Sequence, residues 1–269
     1  LRSGVAALLV ALFMLWRKEP ITFADGTWRP GLLVGFLFAF EFLLVGQGIR
    51  YTSASHVVVF LYTAPIFVAL GLHVRLPSER LGLVQWLGIA LAFAGLVIAF
   101  FGRAQQAVVI EGGNMLLGDL LALAGGAAWG ATTVVVRCSS LSKASASQTL
   151  LYQLLAAFGL LLVAAALSVQ TSVHSTPRMW TSLLFQALVV SFASFLVWFW
   201  LLRKYLASRL GVFSFMTPLF GVAFGVWLLN EPLEMSFLTG ATLVLAGVVL
   251  VSNHVWFQKQ SGWLWGRIS

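Results

Sequence analysis

Apolar runs long enough to cross a bilayer recur along the whole chain, separated by short stretches that hold the charges and the turn formers. Bilayer hydrocarbon is about 30 Å thick, so a spanning helix at about 1.5 Å per residue needs roughly 20 apolar positions. No charged side chain occurs from Leu81 to Gly102, from Met179 to Leu202, from Leu210 to Asn230 or from Met235 to Asn253. With charges and turn formers as boundaries, the pattern predicts spans at 3–16, 31–49, 54–74, 81–101, 116–136, 146–168, 180–202, 209–230 and 236–255. Each run is about twice the length that a tilted barrel strand needs and lacks strict alternation, so the spans read as helices. The expectation is an all-α integral membrane protein with nine visible transmembrane helices.

The same pattern repeats. Ala54-Ser55, Val59-Phe60 and Pro65 recur as Ala207-Ser208, Val212-Phe213 and Pro218, displaced by 153 residues. Glu79, Gly88 and Ala94-Gly95 recur as Glu231, Gly240 and Ala246-Gly247, displaced by 152. A collinear set with one gap across two helices is a specific signal of duplication. Five spans separate each residue from its counterpart, and five is odd, so the two copies are expected to be inverted in the membrane. Residues 1–102 form the first repeat and 116–255 the second, with 256–269 as a cytoplasmic C-terminal tail. The partner of the span at 116–136 falls before Leu1, so the chain reads as starting mid-protein, with the first helix of a ten-helix bundle missing.

Charge distribution sets the orientation. Twelve Lys and Arg residues fall in one set of alternate loops, and four (Arg2, Arg50, Arg103 and Arg178) in the other. The richer set is expected to face the cytoplasm, together with the C-terminus. The net charge of +8 therefore reflects topology rather than a nucleic-acid footprint. At 60% hydrophobic and 9% charged, the composition excludes a soluble globular domain. Cys138 is the one cysteine, so no internal disulfide forms, and no zinc-ligand spacing or phosphate-binding Gly-rich loop ending in Lys and Ser or Thr occurs. No cofactor or metal is implied. A multi-pass protein of the cell (inner or plasma) membrane is expected, driven by an ion gradient, by exchange or by substrate concentration.

The stretch Arg50-Tyr51-Thr52-Ser53-Ala54-Ser55, a proline in the following helix, Glu79-Arg80-Leu81 and Gln85-Trp86-Leu87-Gly88 resemble the EamA family of the drug/metabolite transporter superfamily. Pro218-Leu219, Asn230-Glu231-Pro232-Leu233 and the helix with Gly240 and Gly247 extend the resemblance over essentially the whole chain. It implies a ten-helix fold of two inverted five-helix repeats and export or exchange of amino acids, related metabolites or drugs. The missing first helix is the departure from that pattern.

Candidate pathway residues follow from polar groups inside spans. Glu41 is the one carboxylate well inside an apolar run, where a charge is costly and usually marks a cavity, a partner or an ion path; the alternative is a hydrogen-bonded structural role. Depth counted from the turn near Tyr51 and Thr52 matches Gln47 with His56 and Glu41 with Tyr62. His56 suits a proton switch, or is simply solvated near the interface. Pro65 and Pro218 lie mid-helix at equivalent positions, where each frees a carbonyl four residues earlier and predicts a kink. Paired interruptions of this kind point to a binding site, or to packing alone. Met216 and Thr217 lie beside the second kink. Tyr152, Gln153, Trp129 and Trp198 complete the set, the tryptophans reading equally as lipid-facing bulk. Asp119 reads as a helix N-terminal carboxylate.

The expected function is a secondary transporter, an exporter or exchanger of small metabolites with Glu41 titrating and the two proline helices gating. Its partners are a small-molecule substrate and the lipid bilayer, with protons as a coupling ion and a homodimer among the expectations, and no nucleic acid. The alternatives are a membrane-embedded sensor or assembly subunit, or an enzyme acting on a lipid-linked substrate.

Overall fold

The computed structural model describes residues 1–20, 26–104, 114–168, 175–229 and 234–265, so the Asn230-Glu231-Pro232-Leu233 motif lies outside the described residues. Its helices are α1 (Arg2–Trp16), α2 (Trp28–Gly48), α3 (Ala54–Leu61), α4 (Ala64–Arg75), α5 (Leu83–Ala104), α6 (Met115–Cys138), α7 (Ala146–Leu167), α8 (Pro177–Phe185), α9 (Phe195–Lys204), α10 (Ala207–Phe213), α11 (Met216–Leu229) and α12 (Met235–Trp265). A π-helical stretch, Gln186–Ser194, joins α8 to α9. Among the described residues, eight helical runs are long and apolar enough to cross a membrane, and α1 is a shorter apolar helix of 15 residues.

Helix starts are written in the local sequence. Ser53, Ser145 and Thr176 each accept a hydrogen bond from the backbone N–H three residues on, which satisfies a donor that the first helical turn leaves open. Pro177 follows Thr176 at the first helical position, where its missing N–H costs nothing.

Two expected spans are broken rather than kinked. The 54–74 run separates into α3 and α4 at Tyr62-Thr63, and the 209–230 run into α10 and α11 at Ser214-Phe215. Pro65 and Pro218 therefore sit in the first turn of α4 and α11, where proline is tolerated, and not in a helix interior. Each break carries a hydroxyl that adds a bond to the carbonyl three residues earlier: Thr63 Oγ1 donates to Phe60 O at 2.6 Å, and Ser214 Oγ to Gly211 O at 2.5 Å. The backbone N–H groups of Thr63 and Ser214 donate to the same two carbonyls at 3.2 and 3.1 Å, so each turn satisfies them within the chain, as hydrocarbon requires.

The chain divides into two compact units, Leu1–Leu43 with Ala131–Leu206, and Leu44–Gly130 with Ala207–Ser269. Each unit therefore draws helices from both halves of the sequence. In the first, α1 packs on α7 and on the π-helical stretch. Val10, Met14, Leu150, Leu154 and Leu202 are buried there, and Arg137 Nη1 donates to Leu202 O at 2.7 Å near the C-terminal end of α9.

In the second unit α5 packs along α12 through glycines. A Cβ on Gly88 would stand 2.9 Å from Gly247 O, and one on Gly95 would stand 2.6 Å from Gly240 O. Rising numbers on α5 meet falling numbers on α12, so the helices are antiparallel. Gly88 and Gly95 are displaced by 152 from Gly240 and Gly247, so each glycine meets the counterpart of the other. Small residues permit this approach because no side chain separates the backbones. Val59, Ile89, Leu96, Phe215 and Val244 form the surrounding core.

Candidate functional site

Within the second unit, α6 presents small residues at a spacing of four, Gly118, Ala122, Gly126 and Gly130, and at each of the three glycines it meets the segment 52–68. Gly118 lies against Thr52, Gly126 against Leu61 O and Thr63 Oγ1, and Gly130 against Phe67. The numbers rise together, so α3 and α4 run parallel to α6. A Cβ at Gly126 would stand 2.7 Å from Leu61 O, so this glycine seats the break between α3 and α4. Beside it the Tyr62 ring meets Trp129 edge-on, with centroids 5.4 Å apart at 84°.

The second broken helix reaches the same place. Gly211 lies against Pro65, where a Cβ would stand 3.6 Å from the proline ring. Tyr62 and Met216 both pack on the core that holds Val59, Val212 and Phe215. The structure thus brings Tyr62, Pro65, Trp129 and Met216 to the crossing of the two broken helices. Pro218 is half-buried and Thr217 exposed on the first turn of α11.

His56 and Gln47 do not meet. Gln47 is exposed and accepts from Arg50 Nη1 at 3.5 Å. His56 is 8% exposed and places Nδ1 3.0 and 3.1 Å from the two carboxylate oxygens of Asp119. Thr52 Oγ1 donates to Asp119 Oδ1 at 2.7 Å. Asp119 is therefore more than a helix-end carboxylate, because it ties the start of α3 to the start of α6. Its position one turn beyond a loop on the same predicted side as the 50–53 turn is the sequence signal that marks it.

In the first unit, Glu41 is half-buried on α2 and lies within electrostatic reach of Arg2, whose guanidinium stands 4.3 Å over the Phe42 ring. A cation so placed offsets the cost of a carboxylate inside a span. Every residue of α7 from Ala146 to Leu154 is buried. Tyr152 OH is 3.0 Å from Thr27 Oγ1 and accepts from Gln148 Nε2 at 3.3 Å. Gly31 allows the approach, since a Cβ there would lie 2.6 Å from the Tyr152 ring. A groove of about 490 Å³ runs beside this contact, lined by Trp28, Leu32, Tyr152, Leu155 and Ala156. Gln153 is 4% exposed and its Oε1 has no hydrogen-bond partner among the described residues. Trp198 is half-buried on α9. Among the described residues no cluster of His, Cys, Asp or Glu could hold a metal ion.

A model of the EamA-like transporter family matches residues 1–101 and 116–253. An uncharacterized transporter of Bacillus subtilis, YoaV, is 22% identical over 93% of this chain and 84% of its own length. A probable amino-acid metabolite efflux pump of Salmonella typhimurium is 29% identical over 93% of this chain and 84% of its own. A crystal structure superposes with a TM-score of 0.78 at 17% identity, covering 93% of this chain and 84% of that one, which is a likeness of fold.

Proposed function

The chain belongs to the EamA-like transporter family, and from that premise we propose that it is a secondary carrier that exports or exchanges small metabolites such as amino acids across the cell membrane. It works by alternating access between two inverted repeats, residues 1–102 and 116–255. The observation that carries this reading is the crosswise packing of α5 on α12, in which Gly88 meets Gly247 and Gly95 meets Gly240. Repeat-related helices that pack antiparallel are what an axis in the membrane plane generates, and such an axis lets the two halves exchange conformations.

The substrate path passes the interrupted backbone of both repeats. Tyr62, Pro65 and Trp129 with Met216, Thr217 and Pro218 supply the surface at the two breaks, and Gln47 and His56 lie toward the outer end. Glu41, Tyr152, Gln153 and Trp198 are the polar and aromatic groups of the path on α2, α7 and α9. The excess of Lys and Arg in alternate loops supports a cytoplasmic C-terminus. Amino acids are the first class to test because two relatives, at 29% and 27% identity, are named as probable amino-acid metabolite efflux pumps.

The test is counterflow in proteoliposomes loaded with unlabelled L-amino acids and supplied outside with a radiolabelled mixture of the same. Uptake above protein-free vesicles is expected. A protein that is monodisperse in detergent yet gives no counterflow with amino acids, nucleosides or quaternary-ammonium drugs would count against a carrier.

A further inference from the structure

We propose that His56 and Asp119 form a proton-binding site at the outer end of α3 and α6, and that its occupancy sets the position of α3 at the break beside Tyr62. This inference rests on the carrier reading and names its coupling ion.

The geometry supports a site rather than an incidental contact. Nδ1 of His56 faces both oxygens of Asp119, at 3.0 and 3.1 Å. An ionised carboxylate only accepts, so Nδ1 keeps its hydrogen in that bond and the exchangeable proton is held on Nε2. Thr52 Oγ1 fixes Asp119 from the other side at 2.7 Å. The ring itself is packed on Phe101, with centroids 4.5 Å apart, and beside Phe60 at 6.3 Å. Among the described residues Asp119 is the charged group that His56 contacts; on the adjoining turn, Arg50 is engaged with Gln47. Imidazole exchanges its proton in the physiological range. With the proton bound the pair is neutral overall and joined by a charge-assisted bond. Without it the site carries a net negative charge in apolar surroundings, and the bond keeps the carboxylate's charge but loses the cation's.

The mechanical consequence follows from where α3 ends. It spans Ala54–Leu61, so His56 lies near one end and the break at Tyr62-Thr63 at the other. Tyr62 touches Trp129 on the same α6 that bears Asp119. Loosening the first turn of α3 from α6 therefore changes the contact of Tyr62 with Trp129, two groups of the proposed path. A proton taken up from the outer water is thereby linked to the backbone interruption.

The proton is the ligand, so the site is read without a substrate. Cys138 is replaced by serine and Ala54, exposed at the start of α3, by cysteine. Labelling by an impermeant maleimide is compared between about pH 5 and about pH 8, normalised to the denatured protein at each pH. The expected change is about fivefold or more, the lower end of ordinary coupling between sites. It should disappear in His56→Gln, which keeps a donor toward Asp119 but does not titrate, and in Asp119→Asn. Where His56→Gln does not fold, by size-exclusion profile, His56→Asn replaces it. A pH response that survives both substitutions, or is absent from the parent protein, overturns the proposal. In the flux assay, His56→Gln should lose accumulation driven by a pH gradient. Absent counterflow with an intact labelling response would instead strike the carrier reading and leave the proton site standing.

Discussion

Glu79, fully buried in the loop between α4 and α5, accepts hydrogen bonds from the backbone N–H and the hydroxyl of Ser208, at 3.1 and 2.7 Å, and from the N–H of Ala207 at 3.1 Å. The first turn of α10 thus draws its cap from a residue more than a hundred positions away, whereas α3 is capped by its neighbour Ser53. A buried carboxylate is tolerated here because the helix start supplies all three donors and a favourable dipole. The contact fixes the entry to the second broken helix.

Replacing Glu79 with alanine leaves the Ala207 and Ser208 donors without these partners. The expected cost is about 3 kcal/mol, in the range for breaking buried hydrogen bonds to a charged group. Thermal unfolding in detergent should show a clear loss of stability, and Glu79→Gln, which retains one acceptor oxygen, should fall between. Unfolding temperatures unchanged in both variants would show that the cap contributes little.

The α5 and α12 seam should resist enlargement. A leucine at Gly95 or Gly240 enters space already held by the backbone of the facing helix, and overpacking of this kind costs about 1–3 kcal/mol or more where backbone must move. Both variants are expected to lose monodisperse yield, and the double variant should be no better than the worse single one. A well-folded Gly95→Leu protein would contradict the close packing described.

Tyr152 and Thr27 should be energetically coupled. Tyr152→Phe and Thr27→Val each remove one side of the hydrogen bond at 3.0 Å, and each is expected to cost about 1 kcal/mol. In a double-mutant cycle the second substitution should cost less once the first is made. Strict additivity would mean that the two hydroxyls do not share a bond worth measuring.

Glu41→Gln separates path from scaffold. The amide keeps the shape and hydrogen-bonding capacity of the acid but cannot exchange a proton or balance Arg2. Flux is expected to fall by about tenfold or more, the effect of losing one charge-assisted contact in the path, while the unfolding temperature changes little. Full flux in this variant would remove Glu41 from the path.

How much of this was legible beforehand differs by residue. The Pro65 and Pro218 interruptions were visible as prolines in the middle of apolar runs, yet they read as kinks. The form of each interruption is set by the turn around it, which Thr63 and Ser214 close through both N–H and hydroxyl and which Gly126 leaves room for in the first repeat. His56 was visible as a histidine near a helix start. Its partner was not, because Asp119 lies 63 positions away and pattern alone does not rank which helices adjoin. Gln47 accepts from Arg50, a contact three residues away that sequence distance makes available.

The sequence by itself determined that this is a helical membrane protein and where its apolar runs begin and end. Those properties follow from the thickness of hydrocarbon and the need to satisfy every backbone group within it, and both act locally along the chain. Only the tertiary structure decided that Glu79 caps α10, that His56 faces Asp119 and that Gly88 meets Gly247. Each of these depends on which helices pack side by side. In a bilayer that choice rests on small residues, shape and a few polar contacts, since apolar surface alone does not distinguish a neighbouring helix from lipid.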